Sequence, residues 1–214
     1  MLFRSTYTSG TVEIGSVNAG AITVSGKLDA KNNGFAGLTL RNSGGGLSFV
    51  NNGQLLLPKN AEVNLQIGGN LAGGYVPGGV GPNLSAPGGR LNLVSAGTVS
   101  LWTDVGSVSA GGGLDPIGGF VLVNNSSLAV AGSYATGAQD LLIQTLSGNL
   151  QLNAGARFSG RNLTFAPGGN FYNLTGSSDP FSNNPGGRTL VYAYQSNLNN
   201  PSTVNAGLAG FSWV

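Results

Sequence analysis

Apolar residues in this chain come in pairs separated by one position, and the pairs return every eight or nine residues. Leu38/Leu40, Leu47/Phe49, Leu55/Leu57 and Val63/Leu65/Ile67 open the series. Leu91/Leu93, Val99/Leu101, Phe120/Leu122, Leu128/Val130, Leu141/Ile143, Leu150/Leu152 and Leu163/Phe165 continue it. An apolar residue at every second position turns one side of a short strand inward. Three later pairs begin at Phe120, Leu141 and Leu163, a repeat of 21 and then 22 residues, which is a solenoid period. One coil of that length cannot bury its inner side alone, whereas stacked coils form a continuous core. The expected fold is therefore all-β: a parallel β-helix of about 20–22 residues per coil.

Glycine supplies 38 of 214 residues and charged residues only 7%, a composition that borders on low-complexity disorder. The 40% hydrophobic content lies in phase, which argues for a packed core instead. Gly and the asparagine pairs Asn32-Asn33, Asn51-Asn52 and Asn124-Asn125 sit between the dyads, where tight turns need positive φ. Nine basic and seven acidic residues are scattered singly, so no basic stripe is available for phosphates, and nucleic acid is not an expected partner. No apolar run reaches the roughly 18 residues a membrane span needs, so membrane insertion is not expected either. Met1-Leu2-Phe3-Arg4 leads into polar residues and does not read as a signal peptide. Cysteine is absent, which removes disulfides and thiolate metal sites.

Helical periodicity with caps is missing throughout, and gaps of five or six residues between dyads favour parallel coils over two-residue hairpins. Two stretches read as loop excursions from the stack. Residues 68–89 hold nine glycines and three prolines without a clear dyad. Residues 103–119 fall in a 29-residue step from Leu91 to Phe120, about eight more than one coil. The β-helix is expected over 1–180, and 181–214 reads as a closing strand, Thr189 to Tyr194, followed by a tail with Phe211 and Trp213.

The run from Asp140 to Gly160, DLLIQTLSGNLQLNAGARFSG, resembles the repeat of filamentous-haemagglutinin-like exoproteins of two-partner secretion systems. Gly187-Arg-Thr-Leu-Val-Tyr192 is similar to the segment that often closes a β-helix in that family, with Thr189 in place of the usual Trp. The resemblance covers about Ile22 to Tyr194. It implies a right-handed parallel β-helix, secreted to the bacterial cell surface or medium and serving adhesion or aggregation. Implied partners are a host cell-surface glycan or protein receptor and, during export, an outer-membrane transporter. The family's export signal and N-terminal secretion domain have no counterpart in the sequence, which reads as part of a longer exoprotein.

With no His and no Cys, a Ser nucleophile lacks its usual base and a zinc site lacks its usual ligands. Glycoside hydrolysis needs two carboxylates, and seven are present: Glu13, Asp29, Glu62, Asp104, Asp115, Asp140 and Asp179. None lies within ten positions of another, and only stacking, for example of Asp115 with Asp140, could pair them. Gly111 to Pro116 approaches a calcium-binding turn but has Leu114 at a glycine position and occurs once. No P-loop is present, and neither a cofactor nor a metal is expected. Asn83, Asn124, Asn125, Asn162 and Asn173 open Asn-x-Ser/Thr sequons. Tyr75 and Trp102 are the candidate binding residues: either they stack on sugar rings or they pack beneath a loop. The expectation is a non-enzymatic adhesive segment, with a β-helical carbohydrate-active enzyme and a passive spacer as alternatives. Thr-x-Thr occurs only at Thr6/Thr8, which disfavours ice binding.

Overall fold

The computed structural model describes residues 10–111 and 118–193, and the regular elements among them are all strands. The first half runs through β1 (Thr11–Gly15), β2 (Ile22–Asp29), β3 (Gly37–Asn42), β4 (Leu47–Leu56), β5 (Glu62–Ile67), β6 (Leu71–Gly73), β7 (Leu84–Ser95) and β8 (Val99–Ala110). Next come β9 (Phe120–Asn124), β10 (Leu128–Ala131), β11 (Ser133–Ala135), β12 (Leu141–Thr145) and β13 (Leu150–Leu152). The last coils hold β14 (Arg157–Gly160), β15 (Leu163–Ala166), β16 (Phe171–Asn173), β17 (Phe181–Asn183) and β18 (Thr189–Val191). All pairings are parallel, and the chain winds into a β-solenoid of about seven turns.

Two walls run the length of the stack. On the first, Leu38, Val63, Leu91, Val108, Val130 and Leu152 lie in register, one above another. On the second, Leu47, Leu71, Val99, Phe120, Leu141 and Leu163 do the same. All twelve are at most 2% exposed. Their neighbours alternate outward, so the spacing of two in the sequence is the inside-outside alternation of a strand. Each buried aliphatic side chain contributes about 1.5–3 kcal/mol before chain entropy is counted, and the columns supply most of that gain.

Coil length is not uniform. Residues one rung apart are 25 positions apart at Thr23/Ser48 and Thr39/Asn64 and 28 at Asn64/Asn92. They are 21 or 22 apart at Thr103/Asn124, Ser127/Asn149 and Asp140/Asn162. The 20–22-residue coil thus describes the middle rungs, whereas the early coils are wider and the last rung, Leu163 to Thr189, spans 26 positions.

Both expected excursions are shorter than the sequence suggested. Within 68–89, β6 and the start of β7 stay in the stack, with Leu71, Leu84 and Ala86 at most 1% exposed. Only residues 74–82 leave it. Their flanks escape a dyad search because Leu71 and Leu84 each have a small partner, Gly73 and Ala86. Within 103–119, β8 continues to Ala110 with Thr103, Val105 and Val108 wholly buried. The inward residues Val105 and Val108 are three apart, because the strand turns a corner at Gly106 and so breaks period two. The 29-residue step arose from comparing two walls: Leu91 stacks under Val108, and Phe120 stacks over Val99. The boundary expected at 180 falls inside the last coil, since β17 pairs with β14 and β18 with β15. Tyr194, Phe211 and Trp213 lie outside the described residues, as do Thr6, Thr8, Asp115 and most of the calcium-like turn.

The third side of the tube changes place midway. Early coils go from the first wall to the second through a short turn, and the third strand segment follows the second wall: Leu28–Asp29, Leu55–Leu56, Leu84–Ser85 and Thr103–Asp104 are stacked in register. From β10 onward the order reverses. Strands β11, β14 and β17 form a separate three-stranded sheet that follows the first wall, and the short turn now follows the second.

Asn124 ends the early third ladder. Its side chain is fully buried, its Oδ1 accepts from Val105 N at 2.9 Å, and its Nδ2 donates to Val105 O at 3.0 Å. One amide side chain thus occupies the place of the peptide group that another rung would have supplied. The same Oδ1 accepts from Thr103 Oγ1 at 2.9 Å, and Nδ2 also reaches Ser126 O at 2.9 Å. Of the asparagine pairs, Asn51-Asn52 adopts the left-handed backbone expected of turns, with φ of 52° and 59°. Asn124-Asn125 instead works through its side chains.

The interior becomes aromatic after the crossover. Tyr134 stacks on Phe158 with centroids 5.3 Å apart, and Phe120, Phe165 and Phe181 surround the pair. Burial pushes the Tyr134 hydroxyl well above the usual phenol range, offset only in part by the Ala110 backbone, and the hydroxyl makes no well-formed hydrogen bond. An acid held neutral by folding contributes stability that is intact below the unfolded pKa of about 10 and is lost as pH rises beyond it. Tyr134→Phe is therefore expected to keep or raise stability by about 1 kcal/mol at neutral pH and to shift alkaline unfolding to higher pH. Denaturant titrations at neutral pH and above the phenol range check both; a large loss at neutral pH contradicts the assignment.

Candidate functional site

The loop 74–83 is the most distinctive surface feature, and its shape follows from its sequence. Val76-Pro77-Gly78-Gly79 closes a β-turn by a 2.9 Å bond from Gly79 N to Val76 O, with Pro77 fixing φ and Gly78 at φ 72°. Proline followed by a positive-φ glycine at the centre of a turn is the type II signature. The chain rejoins the stack at Asn83, whose N donates to Trp102 O at 2.9 Å and whose O accepts from Leu55 N at 2.7 Å.

Trp102 projects from the outer side of the second wall, between the inward residues Leu101 and Thr103. The structure brings it together with Tyr75: their rings meet edge to face at 4.9 Å and 87°. Trp102 Nε1 donates to Asn125 Oδ1 at 2.6 Å, which fixes the indole from the next rung. A Cβ at Gly79 would stand 3.2 Å from the indole, so the loop lies close over the ring. Trp102 is consequently only 7% exposed, whereas Tyr75 is 37%, Val76 59% and Val80 66% exposed. Of the two candidate residues, Trp102 anchors the loop and Tyr75 is the one that solvent reaches. Val76 and Val80 have no signal in strand periodicity, because they belong to no strand. Asn125 was visible only as half of an asparagine pair and as a sequon residue, neither of which points to its bond with Trp102.

Among the described residues the acidic side chains are dispersed, and five of them have partners. Asp29 pairs with Lys27 at 3.2 Å, and Glu13 lies 3.9 Å from Arg41. The Lys31 backbone N–H and the Lys27 side chain hold the exposed Asp29 carboxyl below its ordinary range. Glu62, Asp104 and Asp140 accept hydrogen bonds from Asn92, Ser126 and Asn162 at 2.8 Å each. Among the described residues no three His, Cys, Asp or Glu side chains gather as a metal site would require. No helix among them is long and apolar enough to cross a membrane. Burial at no more than 3% removes Asn124 and Asn173 as sequon acceptors. No family model, curated protein or solved structure matches the chain.

Proposed function

We propose that the chain is a non-enzymatic segment of a secreted bacterial surface protein, a rigid scaffold that presents the loop 74–83 to a receptor. The anchored loop carries this reading: Tyr75, Val76 and Val80 are exposed, yet Trp102 and Asn125 hold their base against a tube of parallel rungs. A preordered apolar projection loses little conformational freedom on binding, which favours affinity. Within 74–82 the only side-chain hydrogen-bonding group is the Tyr75 hydroxyl. Such a surface suits an apolar patch on a protein receptor better than a glycan, which needs several polar contacts. A cysteine-free stack whose coils contact only their neighbours can fold progressively, a property that fits passage through an outer-membrane transporter followed by folding outside.

Residues 75–82 can be replaced by a short Gly-Ser linker without removing a rung residue, though Trp102 is then uncovered, whereas removing 68–89 would take buried Leu71, Leu84 and Ala86 with it. The linker variant is expected to unfold like the parent chain and to lose most attachment to receptor-bearing cells. Undiminished attachment eliminates the loop as the binding element. Depolymerisation of a polysaccharide by the intact chain overturns the non-enzymatic reading.

A further inference from the structure

The outer side of the first wall carries a step. One outward column runs Glu62, Arg90, Ser107, Ala129, Gln151 and Tyr172, each in register with the next. Ser107 and Ala129 are small whereas Gln151 and Tyr172 are long, so the side chains stand up from the surface where β10 meets β13. Beside the corner at Gly106 the step bounds an open groove of about 190 Å³, with Ser127, Asn149, Gln151 and Tyr172 around it and Ala129 among them. That volume holds about six waters at liquid density, or one sugar ring. No charged side chain lines the groove, and Arg90 stands two rungs from Ala129 in the column.

Each polar side chain around the groove is held by one hydrogen bond and keeps another group unbonded. Asn149 Oδ1 accepts from Asn170 N at 2.9 Å, which leaves its Nδ2 as a donor. Gln151 Nε2 donates to Asn153 Oδ1 at 2.7 Å, which leaves its Oε1 as an acceptor. Ser127 Oγ accepts from Asn149 N at 3.0 Å, and the Tyr172 hydroxyl accepts from Asn170 Nδ2 at 3.3 Å, so both hydroxyl hydrogens stay available. Side chains fixed in this way before a ligand arrives lose little freedom on binding it.

We infer that this groove is a site for one neutral sugar residue of a glycan, its ring face on Tyr172 and its hydroxyls bonded to Asn149, Gln151 and Ser127. Sugar hydroxyls both donate and accept, and the C–H face of a pyranose packs on an aromatic ring; the groove offers donors, an acceptor and a tyrosine together. A phosphate or an acidic sugar would need a cation, and none lines the groove. A peptide adding itself as a strand would need an unpaired backbone edge, whereas β10 and β13 beneath the groove are each paired on both sides. The site is separate from the loop 74–83, which rises over the second wall at Trp102, and it stands whether or not that loop has a receptor.

Titration of the full chain with lactose, cellotriose and diacetylchitobiose tests it, read from the side-chain amide signals of Asn149 and Gln151 by nuclear magnetic resonance. At least one of these neutral probes should shift both signals with a Kd of about 1 mM, the strength expected of contacts to a single ring. Tyr172→Ala should weaken binding at least about tenfold and Tyr172→Phe less than about threefold, since the ring matters more than its hydroxyl. Gln151→Leu keeps the volume, removes the acceptor and should weaken binding about tenfold with urea unfolding unchanged. The Gly-Ser linker variant of the loop should bind the probes as the parent chain does, which separates this site from the receptor reading. No shift with any probe up to about 50 mM, undiminished binding by Tyr172→Ala, or tighter binding of sialyllactose than of lactose would each overturn the proposal.

Discussion

Asn124→Leu is expected to remove about 4 kcal/mol of stability, although the substitution keeps nearly the same volume. The side chain satisfies the N–H and the carbonyl of Val105 and the hydroxyl of Thr103, all wholly buried, and the part-buried carbonyl of Ser126. A leucine would leave Val105 with two orphaned backbone groups at the end of a ladder, where no further rung can pair with them. Each orphan costs about 1–3 kcal/mol. Asn124→Asp should also destabilise, since a carboxylate has no donor for the Val105 carbonyl. Equilibrium unfolding in urea measures the change; a loss below about 1 kcal/mol would mean that water or a shifted strand replaces the amide.

Phe158→Ala is expected to cost about 3–5 kcal/mol, the range for deleting a wholly buried ring. Phe158 touches Tyr134, Phe165 and Phe181 with centroids between 5.0 and 5.9 Å, so the cavity would open where three coils meet. Because each coil of a solenoid contacts only its neighbours, the damage should stay local. Hydrogen exchange should accelerate in β11 to β18 while amides of β3 to β7 keep their protection. Uniform loss of protection along the stack would show that the tube unfolds as one cooperative unit.

The winding of the backbone was written plainly in the dyads, because every second residue of a rung must fill the tube and nothing else in the chain imposes that spacing. Position along the chain was harder to read. Leu91 and Phe120 look like successive copies of one dyad, yet they belong to different walls, and a one-dimensional pattern does not distinguish walls. Residues at corners escaped for a related reason: Val105 and Val108 point inward across a bend, where alternation fails. Of the candidate site, Tyr75 and Trp102 stood out as isolated aromatics, but their contact depends on the loop folding back over the next rung. The outward column of the second wall was legible only after register placed Thr23, Ser48 and Ala72 in line with Val121 and Leu142. Asn124 stood out only as a turn and sequon residue, and its capping task had no signature, since that task is set by a strand that stops beside it in space.

The exchange of sides by the third ladder divides the molecule into two segments whose coils follow opposite orders of short and long connections. Duplication or loss of a whole coil within either segment preserves that order, so such events should be tolerated at any rung boundary there. Recombination that joins a coil from before Val105 directly to one from after Asn124 would place two third strands on one corner and none on the other. Natural variants of this chain should accordingly differ in length by entire coils within the segments, and share a single junction of constant length between them.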